Sequence, residues 1–376
     1  MWLFLKKIKV RFLLMRRLGF SVYPQHSETS EITAYIELAH KYGFTRIFTC
    51  LISLDSESER QKMKDVNKFA ADLGIEVIAD VAPEVFEDLG IDYTGISKLK
   101  EEYHLAGIRL DMGFSGHEEA IMSLDPCDLK IELNVSIGTK YLETILSYQA
   151  NRENIIGCHN FYPRPYTALS RKHFTETSKM FKDHGIKTAA MISSQHAAYG
   201  PWDAAGKGLP TLEEHRGQSI IVQAKDLWQT GLIDDLIIGN MYASEEELKA
   251  LGELNRYKLE FDVVPAAENN TTENIIMFEE PHHNRGDVSA YVVRSTQSRV
   301  KYKNESFEPH NTTEIKAGDV TIDNNGDSRY KGEMNVALQT MENTGTTNIV
   351  GHIVPEELYL LERLQPWESF GLREKK

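Results

Sequence analysis

The sequence predicts an α/β protein, a (β/α)8 barrel followed by a small β-rich domain, and three observations carry that expectation. From Arg17 to about Asn255, short apolar runs alternate with longer amphipathic stretches, the βαβα pattern of a parallel sheet covered by helices. Eight such runs fall within roughly 240 residues, which fits a closed barrel better than an open sheet. After residue 256 the pattern changes to short β-branched or aromatic runs separated by Asn/Gly turns.

The eight expected strands are Leu18-Tyr23, Arg46-Leu51, Glu76-Val81, Gly107-Asp111, Lys130-Asn134, Ile155-Asn160, Thr188-Ile192 and Asp235-Gly239. Helices are expected between and after them. Ser56-Glu-Ser-Glu59 is a capping box, and Gly74 stops the helix that it opens. Thr211-Leu-Glu-Glu214 reads as a second box ahead of an apolar helix with Ile220, Ile221, Ala224 and Leu227. In the later region, Ala290-Val293, Val320-Ile322 and Ile349-Val354 read as strands, with Asp323-Asn-Asn-Gly326 as a turn. The expected division is a basic extension at 1–16, a catalytic barrel at 17–255 and a β-rich domain at 256–376. Asn269-Asn-Thr-Thr-Glu is the most loop-like stretch near the junction, and without a long Gly/Ser linker the two domains are expected to pack together.

Composition narrows the function classes. The 376 residues carry 42 basic and 56 acidic side chains, a net charge of -14. Duplex nucleic acid is therefore not an expected partner. Three scattered cysteines, Cys50, Cys127 and Cys158, build neither a disulfide framework nor a metal motif, and a reducing cytoplasm fits them. No apolar run approaches the ~18 residues of a membrane span. The opening MWLFLKKIKVRFLLMRR lacks the continuous apolar core and cleavage site of a signal peptide. It reads as an upstream start, with Met15 opening the chain, rather than as a basic surface anchor.

Active sites of such barrels lie at the C-terminal strand ends. Tyr23, Asp80, Asp111, Asn134 and Asn160 each close an apolar run, and Gln195 and Asn240 lie just beyond one. A single such residue is usually a loop cap; the set carries more weight. Arg109 and Asp111 share a strand face, as do Glu132 and Asn134 on the next strand. With Asp111 and Asn134 at the mouth, Arg109 and Glu132 lie one layer deeper, where an Arg-Glu pair satisfies both buried charges. Asp111 is therefore the stronger catalytic carboxylate, and Glu132 a structural partner. The long segment Ser193 to Thr211, with Gln195, His196, Tyr199, Trp202 and Asp203, reads as an active-site flap. Glu213 follows it and is a candidate acid, against the plainer reading that it complements a helix dipole.

In the later domain, Arg285, Arg294 and Arg299, with the hydroxyls of Ser295, Thr296 and Ser298, form a basic cluster suited to phosphate or carboxylate. The competing reading is a solvated strand face. The chain has no GxxxxGK[ST], no GxGxxG after a strand and no HExxH, and His282-His283 lacks the further ligands of a metal site. Cys158 lies inside an apolar run, where burial makes a thiol inert. Neither a metal nor a nucleotide cofactor is indicated.

At Leu18-Gly-Phe-Ser-Val-Tyr-Pro24, Gly107-Ile-Arg-Leu-Asp-Met-Gly113, Leu133-Asn-Val-Ser136, Gly157-Cys-His-Asn-Phe-Tyr-Pro163, Gly208-Leu-Pro-Thr-Leu-Glu-Glu-His-Arg216 and Arg294-Ser-Thr296, the chain resembles the MupG-like 6-phospho-N-acetylmuramidases. The resemblance runs from about Arg17 to the C-terminus. It implies a (β/α)8 barrel with a small cyclophilin-like β domain. The implied substrate is a cytoplasmic disaccharide whose non-reducing sugar is N-acetylmuramic acid 6-phosphate, released in cell-wall recycling. That sugar bears a phosphate and a lactyl carboxylate, a task for the basic cluster.

The leading expectation is thus metal-free glycoside hydrolysis, which commonly uses an acid and a carboxylate base or nucleophile. Asp111 takes one role, and Asp80 and Glu213 compete for the other. The substrate acetamido group is an alternative attacking group. Tyr23, Asn134, Asn160 and Tyr162 are expected to bind the sugar. A lyase or isomerase acting on a sugar phosphate is the rival enzyme class, although Lys130 and Lys187 lie near strand beginnings, away from where a Schiff-base lysine is needed. A non-enzymatic carbohydrate-binding protein is the remaining alternative.

Overall fold

The computed structural model describes residues 16–52, 56–197, 199–201 and 207–375. The expected basic extension up to residue 15, and Trp202 and Asp203 of the expected flap, lie outside the described residues. The chain divides into two compact units, one ending at Leu254 and the other beginning at Asn255.

Eight parallel strands close the first unit in sequence order: β1 (Arg17–Ser21), β2 (Phe44–Cys50), β3 (Glu76–Val81), β4 (Gly107–Leu110), β5 (Lys130–Asn134), β6 (Ile155–Cys158), β7 (Lys187–Ile192) and β8 (Asp235–Ile238). Helices cover the barrel. That at Thr29–Lys41 buries Ile32, Tyr35, Ile36 and Ala39, a 3–4 spacing that lays one apolar stripe on the sheet. The Ser56 box closes as expected on Glu59 and opens Glu57–Asp72, and Gly74 follows at a φ of +78°, where a side chain is strained.

The second expected box does not form. The Thr211 hydroxyl accepts from Met191 N and donates to the Asn160 carbonyl, so it ties loops to β7 and is not free to cap. A single 3-10 turn, Glu213–His215, follows, and the apolar helix begins at Ile220 under Ser219.

Inside the barrel the lower layers are ionic. Arg17 pairs with Glu76 and Asp235, Arg46 with Asp235 and Glu132, and Arg109 with Asp80 and Asp111. Charges of alternating sign therefore climb from the N-terminal rim to the mouth. Arg46 and Glu132 are 1% and 0% exposed, so their desolvation is offset only by their partners.

The second unit is a seven-stranded sheet in the order β10-β15-β9-β14-β12-β13-β11. Its strands are β9 (Leu259–Pro265), β10 (His282–His283), β11 (Val292–Ser295), β12 (Asp319–Asp323), β13 (Met334–Ala337), β14 (Thr347–Ile353) and β15 (Ser369–Glu374). Phe261, Ile276, Met277, Phe307, Val336 and Phe370 anchor its core. The stretch expected to be loop-like, Asn269 to Glu273, instead starts the helix Thr271–Phe278. Asn270 accepts from Glu273 N, and the Glu273 carboxylate returns to Asn270 N, a box spelled with Asn rather than Ser. Among the described residues no helix is long and apolar enough to cross a membrane.

Candidate active site

Asp80 is the penultimate residue of β3 and stands in register with Arg109 on β4. The Arg109 guanidinium reaches up into the mouth and gathers three groups. Its Nη1 donates to Asp80 at 2.8 Å and to Asp111 at 3.3 Å. Its Nη2 donates to Asp111 at 3.3 Å and to the Asn160 amide oxygen. Asn134 Nδ2 adds a bond to Asp111 at 3.1 Å. Oxygens of both aspartates are bonded to one nitrogen, so they lie within about 6 Å of each other. The Asp80 side chain is 14% exposed and that of Asp111 43%, so the pair joins a shielded carboxyl to an open one. Burial pushes the Asp80 carboxyl up to about 6; Arg109 opposes that rise, and the charge of Asp111 adds to it.

This corrects the expected Arg109-Glu132 pair. Arg109 is in register with Asp80 on one side and Glu132 on the other. Glu132 is held by Arg46, a residue from the opposite side of the barrel, and the long Arg109 side chain is left to serve the mouth.

A polar shelf supports Asn134 and Asn160. Asn134 Oδ1 accepts from Ser136 N, and Ser136 Oγ accepts from Asn160 N. His159 is fully buried between Ser136 and Ser178, and burial lowers it to about 3, so its imidazole is neutral. Tyr162 lies against Ser136, near Arg109 and Asp111, with its phenol pushed up by burial. Asn240 is committed to the Ser194 backbone in both directions, and Gln195 to the Gln218 carbonyl.

Two expected site residues serve other ends. Tyr23 is 0% exposed, and its phenol donates to the Gly239 carbonyl at 2.7 Å, so it is a core tyrosine rather than a sugar ligand. Tyr23→Phe is expected to lower stability by about 1 kcal/mol, the worth of a buried hydrogen bond, with KM unchanged. Denaturant titration beside steady-state kinetics checks this, and a raised KM would return Tyr23 to the site.

Glu213 is likewise not an acid. Arg216 grips it with two bonds, Tyr166 N and Ala168 N donate to it, and its carboxyl falls to about 2, so it has no proton to give near neutrality. Arg216 also donates to the carbonyls of Lys207, Gly208 and Tyr162, so its N–H groups tie the loops after β6 and β7 together.

The arginines of the second unit do cluster, but each has a carboxylate. Arg285 pairs with Asp287 at 2.5 Å, Arg294 with Glu333 at 2.9 Å, and Arg299 with Glu333 at 2.8 Å. Ser295 Oγ is bonded to His282 and Ser298 Oγ to the Gly332 carbonyl, so neither hydroxyl is open to an anion. Glu214, His215 and Asp226 approach closely enough to hold a cation, but the Arg171 guanidinium already bonds both carboxylates. Sequence reasoning missed Arg109 as a mouth residue; its in-register neighbour Asp80 and its reach were the available signals.

One guanidinium thus holds two carboxyl groups at the C-terminal mouth of a (β/α)8 barrel, an arrangement that suits a glycosidase. The chain belongs to the 6-phospho-N-acetylmuramidase family: the N-terminal family model matches residues 18–253 and the C-terminal one residues 259–373. Among solved structures it is similar to an uncharacterized B. cereus protein, with 48% identity, a TM-score of 0.89, and coverage of 96% of this chain and 100% of that one. It is also similar to a conserved protein of unknown function from an Enterococcus faecalis locus, with 26% identity, a TM-score of 0.71 and 96% of each chain covered. A search of the curated proteins gives no match.

Proposed function

We propose that this glycosidase cleaves the bond on the reducing side of N-acetylmuramic acid 6-phosphate in a cytoplasmic disaccharide, with Asp80 as general acid and Asp111 as the partnering carboxylate. The observation that carries the assignment is the shared Arg109. It keeps the two carboxyl groups close while burial raises that of Asp80, which suits an acid standing beside a second, more exposed carboxyl group. Asp80 protonates the leaving oxygen. Asp111 either attacks the anomeric carbon or orients the substrate acetamido group to do so. Asn134, Asn160 and Tyr162 bind hydroxyls or the acetamido group.

A separation within about 6 Å supports retention of configuration, since inverting pairs stand roughly 6.5–9.5 Å apart to admit a water. That none of the three cysteines stands in a disulfide among the described residues supports a reducing compartment. The test is product analysis by mass spectrometry and proton NMR on the synthetic phosphorylated disaccharide. Release of N-acetylmuramic acid 6-phosphate with its anomeric configuration retained is expected, and no cleavage would remove the reading.

The acid role fixes a pH dependence. Asp80 must carry its proton, so kcat/KM is expected to fall as pH rises through about 6. A sugar phosphate also titrates near 6, so the profile is also to be measured on the unphosphorylated analogue. An analogue profile flat from pH 5 to 8 would remove Asp80 as the acid. The same shift has a stability consequence. A folded pKa above the unfolded value makes the Asp80 contribution complete below about pH 4 and lost as pH rises through about 6.

A further inference from the structure

A cavity of about 220 Å³ opens beside the mouth, lined by Ser193, Ser194, Lys207, Gly208, Gly217 and Asn240. Ser193 and Ser194 follow β7 and Asn240 follows β8, the loops from which (β/α)8 barrels commonly build phosphate sites. Most polar side chains around it are committed. The Ser194 hydroxyl donates to Glu247, Ser193 Oγ accepts from Leu209 N, and Arg216 is neutralised by Glu213. Lys207 differs: it is exposed and makes no ion pair among the described residues.

The Lys207 backbone is nevertheless fixed. Arg216 Nη1 holds the carbonyls of Lys207 and Gly208 at 3.0 and 3.1 Å. Gly208, at a φ of +79°, passes so close to Ser193 that a Cβ would stand 2.9 Å from its hydroxyl. The turn therefore presents an ammonium that no carboxylate among the described residues pairs, from an anchored position, in a chain whose net charge of -14 repels anions elsewhere.

We propose that this cavity is the phosphate-monoester subsite of the substrate, with Lys207 as its cation. The proposal rests on the hydrolytic reading above and moves phosphate recognition from the arginine cluster to the barrel. Lys207→Ala is expected to raise KM for the phosphorylated disaccharide roughly 10- to 100-fold, the range of a hydrogen bond between charged groups. It should leave kcat/KM on the unphosphorylated analogue unchanged, and Lys207→Arg should restore most of the loss. Equal losses on both substrates, or no loss on either, would overturn the subsite. So would loss of phosphate discrimination in Arg294→Ala with Lys207→Ala unaffected.

Titration of the full chain with inorganic phosphate, followed by 31P line broadening, separates this proposal from the reaction. Broadening in the wild type that disappears in Lys207→Ala supports the subsite even in a protein that cleaves neither disaccharide, where only the hydrolytic reading fails. Absence of broadening in the wild type, or broadening indifferent to Lys207, overturns the subsite.

Discussion

Asp111→Asn is expected to fold as the wild type does and to lose at least about a thousandfold in kcat, the upper part of the range for a positioned acid-base group. The amide oxygen can still accept from Arg109 and Asn134, and the side chain is 43% exposed, so little stability rests on its charge. What an amide cannot do is bear the negative charge that the oxocarbenium-like transition state calls for. Asp80→Asn should fall comparably on the natural disaccharide and differ on activated substrates. With an aryl leaving group of low pKa the need for a proton shrinks, so Asp80→Asn should recover much of its rate while Asp111→Asn does not. Full activity in Asp111→Asn, beside an unchanged melting curve, would take that residue out of the mechanism.

The second large effect concerns the barrel floor. Glu132→Gln is expected to destabilise the protein by about 3–5 kcal/mol, because Arg46 would lose its strongest partner while remaining inside the barrel. Asp235 offsets part of that loss, since it bonds Arg46 at 3.0 Å, but it is already shared with Arg17. Replacing both partners, Arg46→Met with Glu132→Leu, should cost less than Glu132→Gln alone, because no charge is then left stranded. Chemical denaturation of the three proteins measures this, and a loss below about 1 kcal/mol for Glu132→Gln would mean that water reaches Arg46.

The barrel was legible because its signals are local. Each strand buries both faces and reads as an apolar run, and the expected span from Lys130 to Asn134 coincides with β5. Mouth residues were legible to the same depth: the position closing a run is visible, and Asp80, Asp111 and Asn160 do meet Arg109, with Asn134 bonded to Asp111. Partnership across space was not legible. Arg109 has a carboxylate in register on either side, and only the arrival of Arg46 from across the barrel decides between them. Tyr23 closes a run as Asp80 does, yet its ring turns into the core. The clustered arginines were visible as charges, whereas Glu333, 34 or more residues further along and taken by two of them, was not. Lys207 shows the converse, a plain lysine in sequence whose interest lies in having no carboxylate partner among the described residues.

The ladder of alternating charge that climbs the barrel joins two properties that natural selection would otherwise adjust one at a time. The negative charge of Glu132 contributes to the raised Asp80 carboxyl, although the two residues are not bonded to each other. A lineage that exchanged Glu132 for an apolar residue would weaken its floor and at the same time lower the Asp80 pKa, dragging its working range toward acid. Drift in thermal tolerance and drift in pH optimum should therefore travel together among descendants of this barrel, with compensating changes arising at Arg46 or Asp235 before the mouth itself is altered.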